Sequence, residues 1–191
     1  AHEKGLRTVF ISNGYINQQP LLDLCPYLDA ANIDLKCFDD AIYRKLDGGQ
    51  LQPVLNTLKT LKEKGVWLEI TNLIVPTYTD NIDMIEKMCD WLAKNGFTET
   101  PLHFSRFFPN YKLTNLPPTP ESLLIQAKDI AVKAGIKIVY VGNIPSLKDE
   151  NTFCQHCGRT IIHRNCFAVS KNYVYEGKCN FCSKPIAGVW E

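Results

Sequence analysis

Two pairs of cysteines near the C-terminus have the spacing of a metal site. Cys154 and Cys157 form one Cys-x-x-Cys motif, and Cys179 and Cys182 form the other. Two intervening residues let a tight turn direct both thiolates of a pair at one ion. Four thiolates in a tetrahedron suit zinc, with an iron of the rubredoxin kind as the second choice. The sequence therefore predicts a four-cysteine zinc site.

A structural metal would also explain how residues 154–191 fold. This segment has few aliphatic residues and no helical period. So small a domain needs a cross-link such as a bound metal to stay folded. A β-hairpin fits between the two motifs, with 160–162 and 173–175 as its predicted strands. Disulfides are the rival interpretation, but disulfide frameworks belong to short secreted chains, whereas this chain has 191 residues, 45% of them hydrophobic.

Polar side chains also follow three predicted strands further upstream. Asn13 comes after the first of them, Asp34 and Lys36 come at the end of the second, and His103 lies near the end of the fourth. The carboxyl ends of strands in a parallel barrel face one cavity, where such groups could hold a charged, amino-acid-like ligand. Each group alone has a structural explanation as a turn, a rim ion pair or a core histidine. Their recurrence at successive strand ends favours a site.

The elements that must position these residues follow a repeated pattern. Four times, a charged segment ends in glycine and a β-rich apolar run follows at once, which is typical of a helix, its C-cap and a strand. The helices between them carry apolar faces at helical spacing, and the strands are apolar on both faces. Strands are predicted near 7–12, 31–36, 66–74, 101–105 and 136–141. This alternation of strand and helix predicts a parallel α/β sheet or barrel.

The pattern also divides the chain into parts. Residues 1–142 are predicted to form the α/β part, 143–153 a polar linker, and 154–191 the ribbon. Ala1–Gly5 is typical of the last turn of a helix, and a lone turn cannot nucleate or pack. We therefore expect at least one βα unit to precede this chain.

Composition narrows the possible partners and locations. The net charge of +1 and the pI of about 7.7 give no electrostatic reason to expect nucleic acid or an acidic membrane surface as the main partner. No apolar run approaches the roughly 20 residues of a bilayer span. We expect a soluble, cytoplasmic protein with reduced thiols, whose oligomeric state the sequence leaves open.

Four stretches together resemble the later strands of radical S-adenosylmethionine (SAM) enzymes. They are 9–15, 32–36, 72–76 and 101–109, and the most specific are the Asp34-Leu35-Lys36 strand end and the His103–Pro109 stretch. The nearest subgroup is the activases of pyruvate formate-lyase. The C-terminal ribbon narrows the resemblance to the radical SAM enzyme of the AmmeMemoRadiSam system.

The resemblance implies a partial (β/α)₆ barrel that lacks its first strands here. It implies reductive cleavage of SAM by a [4Fe–4S] cluster to a 5′-deoxyadenosyl radical, which in activases abstracts hydrogen from a glycine of a partner protein. By the same resemblance, Asn13, Asp34, Lys36 and His103 line the SAM and active-site cavity.

The chain departs from the family most clearly in its cluster-binding motif. The family holds its cluster with a CxxxCxxC loop, and this sequence has none. The chain is therefore expected to be the C-terminal portion of such an enzyme, inactive alone. Two alternatives remain open: a Schiff-base lyase with Lys36 as nucleophile, and a non-catalytic module whose ribbon binds a partner.

Overall fold

The α/β part of the chain is built on one parallel sheet. The computed structural model describes residues 1–144, 150–165 and 168–190. Its strands β1 to β5 lie in chain order across the sheet, each parallel to its neighbours. They are β1 (Val9–Ser12), β2 (Ala30–Asp34), β3 (Trp67–Ile74), β4 (Leu102–Arg106) and β5 (Val139–Gly142). The predicted parallel α/β fold is confirmed, and the strand bounds differ from the predicted ones by up to three residues.

Helices connect these strands, and three of them end as the sequence predicts. They are α1 (Gln18–Leu24), α2 (Asp40–Ile42), α3 (Leu51–Glu63), α4 (Ile82–Lys94) and α5 (Glu121–Lys133). Gly65, Gly96 and Gly135 follow the last three with φ of 75°, 81° and 99°, a left-handed conformation that suits a residue without a Cβ. At the N-terminus, His2–Lys4 forms a single 3₁₀ turn that ends at Gly5.

The start of α5 differs from its predicted form. The sequence predicts Thr119 as its N-cap and Pro120 as its first helical residue, but Pro120 occupies the N-cap position. Thr119 is fully buried, where its hydroxyl donates to the carbonyl of Ile74 and accepts from the amide of Phe107. Tertiary packing therefore uses this hydroxyl to join the ends of β3 and β4 instead of capping the helix.

The two faces of the sheet have different surroundings. In β3, alternate side chains are buried in the core with the helices, and the others stay partly exposed. The exposed set, with its in-register neighbours on the other strands, forms what we call the open face; in β3 it comprises Trp67, Glu69, Thr71 and Leu73. The prediction of strands apolar on both faces is therefore wrong for β3, because helices cover only one side of it.

The C-terminal part is a ribbon of short antiparallel strands. Three of them form one sheet, β6 (Thr152–Phe153), β7 (Thr160–Asn165) and β8 (Ala168–Asn172), and two form a hairpin, β9 (Val174–Tyr175) and β10 (Lys178–Cys179). The strand β6 lies within the segment that the sequence assigns to the linker. Of that predicted linker, 145–149 lie outside the described residues, as do Cys166 and Glu191.

The predicted hairpin of 160–162 with 173–175 is confirmed only in part: the amide of Tyr173 donates to the carbonyl of Ile161 at 2.6 Å, but the strand that pairs along β7 is β8. The strand β7 pairs with β8, and β9 pairs with β10. Glu176 and Gly177 join the last two strands with φ of 47° and 69°, the positive pair that a two-residue type I′ turn requires. This turn returns the chain so that Cys179 reaches the first cysteine motif. Within the described residues, no helix is long and apolar enough to cross a membrane.

Candidate functional site: a four-cysteine centre and a polar row on the sheet

The four predicted ligands meet at one point of the ribbon. The sulfur atoms of Cys154, Cys157, Cys179 and Cys182 all lie within 4.8 Å of one another. The Sγ atoms of Cys154 and Cys182 are 3.6 Å apart, and those of Cys157 and Cys179 are 3.9 Å apart. A tetrahedral ion with metal–sulfur bonds of about 2.3 Å requires sulfur–sulfur distances of roughly 3.8 Å. All four are free cysteines, so they fit a metal ion and not a disulfide framework.

Two equivalent turns present these sulfurs. In the first, the amide of His156 donates to the sulfur of Cys154 at 3.4 Å; in the second, the amide of Phe181 donates to that of Cys179 at 3.4 Å. Burial raises the pKa of Cys154, but backbone amides of the turn outweigh it and lower the pKa to about 7. The first turn therefore favours a thiolate, which is the ligand form of cysteine.

The other described cysteines have a different environment. Cys25, Cys37 and Cys89 are all buried in the α/β core and are not part of the four-sulfur group. Burial raises the pKa of each thiol, to about 11 for Cys37 and about 12 for Cys89. These residues do not fit a [4Fe–4S] cluster, which needs several thiolates around one site. Among the described residues, the ribbon therefore holds the one group of sulfurs with metal-site geometry.

The predicted ligand-binding residues lie on the open face in one row. Asp34 is opposite Thr71, Thr71 is opposite His103, and His103 is opposite Tyr140. Neighbouring strands are about 4.8 Å apart, so roughly 10 Å separate the backbones of Asp34 and His103. Asn13 follows the last residue of β1 at the same edge of the sheet. Its side chain is exposed and accepts from the amide of Tyr15, so it forms the turn that the Asn-Gly pair predicts.

Asp34 and Lys36 form an ion pair at the end of β2. The Lys36 ammonium donates to the Asp34 carboxylate at 2.7 Å, and each side chain is about one-third exposed, at 32% and 31%. Asn72 lies on the buried face of β3, where its side-chain amide donates to the carbonyls of Leu35 and Lys36. These bonds fix the backbone on which Lys36 is carried, whereas the exposed ion pair itself contributes little stability.

His103 has a different partner, which the sequence did not indicate. Its Nε2 lies 2.7 Å from the carboxylate of Glu69, and its ring stacks on that of Tyr140 with centroids 4.9 Å apart. Burial raises the pKa of Glu69, but hydrogen bonds from His103 and Trp67 and the nearby charge of Arg164 outweigh it, so the pKa is lowered overall. Because an ionised carboxylate only accepts, Nε2 of His103 carries the proton.

The row therefore holds two polar pairs and not one cluster. Asp34 pairs with Lys36, and His103 pairs with Glu69, while Thr71 between them donates to Asn32. The alternation of β3 is the signal that could have found Glu69, since it shares the parity of Thr71. A cavity of about 350 Å³ opens above the second pair and is lined by Glu69, His103, Ser105, Tyr140, Glu150 and Arg164, among others.

Comparisons with known proteins find relatives in sequence, among them a protein of Methanocaldococcus jannaschii and one of Escherichia coli. The chain is 46% identical over 188 residues to an uncharacterized protein of Methanocaldococcus jannaschii, with 97% of this chain and 56% of that protein covered. It is 25% identical over 150 residues to the pyruvate formate-lyase 1-activating enzyme of Escherichia coli strain K12, with 72% of this chain and 61% of that enzyme covered. The chain thus spans a little over half the length of these relatives. No protein-family profile matches it.

Solved structures share the fold of most of this chain. A domain of pyruvate-formate lyase-activating enzyme from Bacteroides vulgatus matches with a TM-score of 0.62 and 13% identity, over 74% of this chain and 84% of that one. Streptococcus suis SuiB bound to S-adenosylmethionine matches with a TM-score of 0.59 and 13% identity, over 82% and 39%. No comparison tests the narrower AmmeMemoRadiSam subgroup. The predicted resemblance to activase-like radical SAM enzymes is confirmed, in sequence by the Escherichia coli relative and in fold by these structures.

Proposed function

We propose that this chain is part of a radical SAM enzyme of the glycyl-radical-activase type. The observation that carries the proposal is the 25% identity to an activating enzyme over 150 residues, on a sheet with the fold of radical SAM proteins. The reaction is reductive cleavage of SAM to a 5′-deoxyadenosyl radical, for which a [4Fe–4S] cluster supplies the electron. By analogy with the relative's name, the substrate is a protein that receives the radical.

The polar row on the open face is the proposed SAM-binding surface. Asp34 and Lys36 offer a carboxylate and an ammonium side by side, which complement the amino and carboxylate groups of the methionine part of SAM. Asn13 and His103 extend this surface to either side along the sheet edge and the row. The role of these residues is to bind and orient SAM. The backbone that carries Lys36 is fixed by Asn72, which limits the positions that the Lys36 amine can take.

The cluster ligands are proposed to lie outside this sequence. Because Cys25, Cys37 and Cys89 are buried separately, this chain alone should not assemble the cluster. The test is anaerobic reconstitution with iron and sulfide, followed by reductant and SAM, of this chain and of the natural polypeptide that contains it. We expect 5′-deoxyadenosine only from the longer protein. Formation of the cluster and of 5′-deoxyadenosine by this chain alone would overturn the proposed division, and absence of both from the longer protein would overturn the function.

The ribbon metal is proposed to be zinc in a structural role. Four thiolates fill a tetrahedral shell and leave no open position for substrate or water, and zinc is redox-silent. The free thiols elsewhere in the chain fit a reducing, cytoplasmic environment. Metal analysis of the purified chain should give about one zinc per chain. A red protein that contains about one iron per chain would show that the metal is iron and not zinc.

The geometry of Lys36 argues against the Schiff-base alternative. A nucleophilic lysine needs a neutral amine, which proteins obtain by desolvation or by a neighbouring cation. Lys36 has the opposite environment, since it is about one-third exposed and bound to a carboxylate at 2.7 Å. Borohydride should therefore trap no carbonyl compound on Lys36.

A further inference from the structure

The cysteine centre is joined to the open face by one short hairpin. The strands β6 and β7 pair antiparallel, and the turn between them carries Cys154 and Cys157. The amide of Cys154 donates to the carbonyl of Arg159 at 2.8 Å, which closes the hairpin at the metal end. At the opposite end, the two strands carry Thr152 and Arg164. A metal bound by the turn thus holds the strands that position these two side chains.

The far end of this hairpin contacts the sheet at Tyr140. The hydroxyl of Tyr140 lies 2.8 Å from the hydroxyl of Thr152. The Arg164 guanidinium donates to that same Thr152 oxygen at 2.7 Å and to the carbonyl of Glu150 at 2.9 Å. Its central carbon is 5.6 Å from the centre of the Tyr140 ring, within cation–π range. Three contacts therefore hold Arg164 in place: those with Thr152, with the carbonyl of Glu150 and with the ring of Tyr140 in β5.

These contacts continue to the pair of His103 and Glu69. His103 stacks on the ring of Tyr140 that Arg164 also contacts, and it is bound to the carboxylate of Glu69. Arg164, His103 and Glu69 line the same cavity of about 350 Å³. The positive charge of Arg164 is also among the causes that lower the pKa of Glu69. The ribbon thus supplies both a wall and a charge to the open face.

We propose that Arg164 is a positioning residue for the pair of Glu69 and His103, and that the four-cysteine ribbon is the element that holds it in place. Arg164 acts through Tyr140, whose ring stacks on one side of the His103 imidazole, and its charge adds to the groups that favour an ionised Glu69. The ribbon is then a structural part of the open-face site. This inference concerns contacts within the chain and does not depend on the proposed reaction.

The test compares two variants that each remove one positive charge from the ribbon. Arg164→Gln removes the contact with the sheet, whereas Lys171→Gln removes a charge from the exposed strand β8. Both chains are labelled with ¹⁵N-histidine, and the His103 signals are assigned by their loss in His103→Gln. We expect the Nε2 proton of His103 to exchange with water at least about tenfold faster in Arg164→Gln and to be unchanged in Lys171→Gln.

Two further arms separate positioning from simple loss of the ribbon. Zinc content and amide protection of the ribbon should stay unchanged in Arg164→Gln, while Arg164→Lys, which keeps the charge, should restore part of the slow exchange. Removal of the metal with a chelator should reproduce the effect of Arg164→Gln on His103. Unchanged His103 signals and exchange in Arg164→Gln, or after metal removal, would overturn the proposal.

Discussion

The ribbon and the α/β part achieve their stability by different means. Buried apolar residues of the α/β core come from four strands and four helices, so many long-range contacts contribute to its stability. The described ribbon core is far smaller and consists of Ile161, Ile162 and Ile186 beside Cys154 and Cys179, with a few partly buried neighbours. We therefore expect the ribbon, with so few apolar contacts, to depend on its metal for folding and the sheet to fold without it. The comparison predicts that metal removal unfolds the ribbon and leaves the α/β part folded.

The largest expected effect is the loss of the ribbon fold without one ligand pair. Cys154→Ser with Cys157→Ser should unfold the described part of the ribbon, because metal binding supplies its folding free energy, and should leave the α/β part folded. Amide hydrogen exchange measures both parts in one experiment. His156→Ala is the matched control, since His156 is an exposed residue of the same turn and the four sulfurs complete the shell without it. Survival of ribbon protection in the double variant would show that the metal is not its main support.

The next largest effect should be confined to the α/β part. Phe104 in β4 is fully buried, so Phe104→Ala should lower the free energy of unfolding of the sheet by about 3–5 kcal/mol through lost burial and the cavity left behind. Urea unfolding monitored by far-ultraviolet circular dichroism measures this change. The control, Phe108→Ala, removes a half-exposed ring that contacts Arg106 and should cost less than about 1 kcal/mol. Zinc content should be the same in both variants, and a loss of zinc in Phe104→Ala would contradict the independence of the two parts.

A smaller effect should appear in the pH dependence of the α/β part. The folded-state pKa of Glu69 is lowered, so its contribution to stability is complete above the ordinary glutamate value of about 4.3 and is lost as pH falls towards the lower folded value. Glu69→Gln should therefore flatten the fall in urea midpoint between about pH 5 and pH 3. Glu63→Gln, at the exposed end of α3, is the control and should leave the slope unchanged. An identical slope in Glu69→Gln and wild type would contradict the contact with His103.

The sequence predicts the metal centre better than the open-face site. The four cysteines lie in two Cys-x-x-Cys pairs, whose spacing alone limits the geometry, so their meeting point is predictable from the sequence. The partners of His103 were not, because Glu69 is 34 residues away and reaches it only through the register of β3 with β4. Arg164 was harder still, since it comes from another sheet altogether. Local patterns predict elements, but register and docking are properties of the whole fold.

The errors in the predicted elements have the same origin. Thr119 has the sequence signature of a helix cap, yet its hydroxyl joins two strand ends because tertiary contacts there are available. The sequence predicts that 173–175 pairs with 160–162, yet beyond the bond from Tyr173 to Ile161 the partner of β7 is β8, and the Glu176-Gly177 turn folds β9 onto β10. Glu176-Gly177 is not one of the dipeptides that signal a type I′ turn, so the sequence did not indicate this second hairpin.

The central claim is that the polar row on the open face binds SAM and does not hold the cluster. The most direct measurement is the rate of 5′-deoxyadenosine formation, together with iron content, for Asp34→Ala in the natural polypeptide that contains this chain. We expect at least about a tenfold slower rate, equivalent to about 1.4 kcal/mol of lost positioning, with unchanged iron. Asp23→Ala, which removes an exposed carboxylate on α1, should change neither quantity. A wild-type rate in Asp34→Ala, or a loss of iron in that variant, would contradict the account.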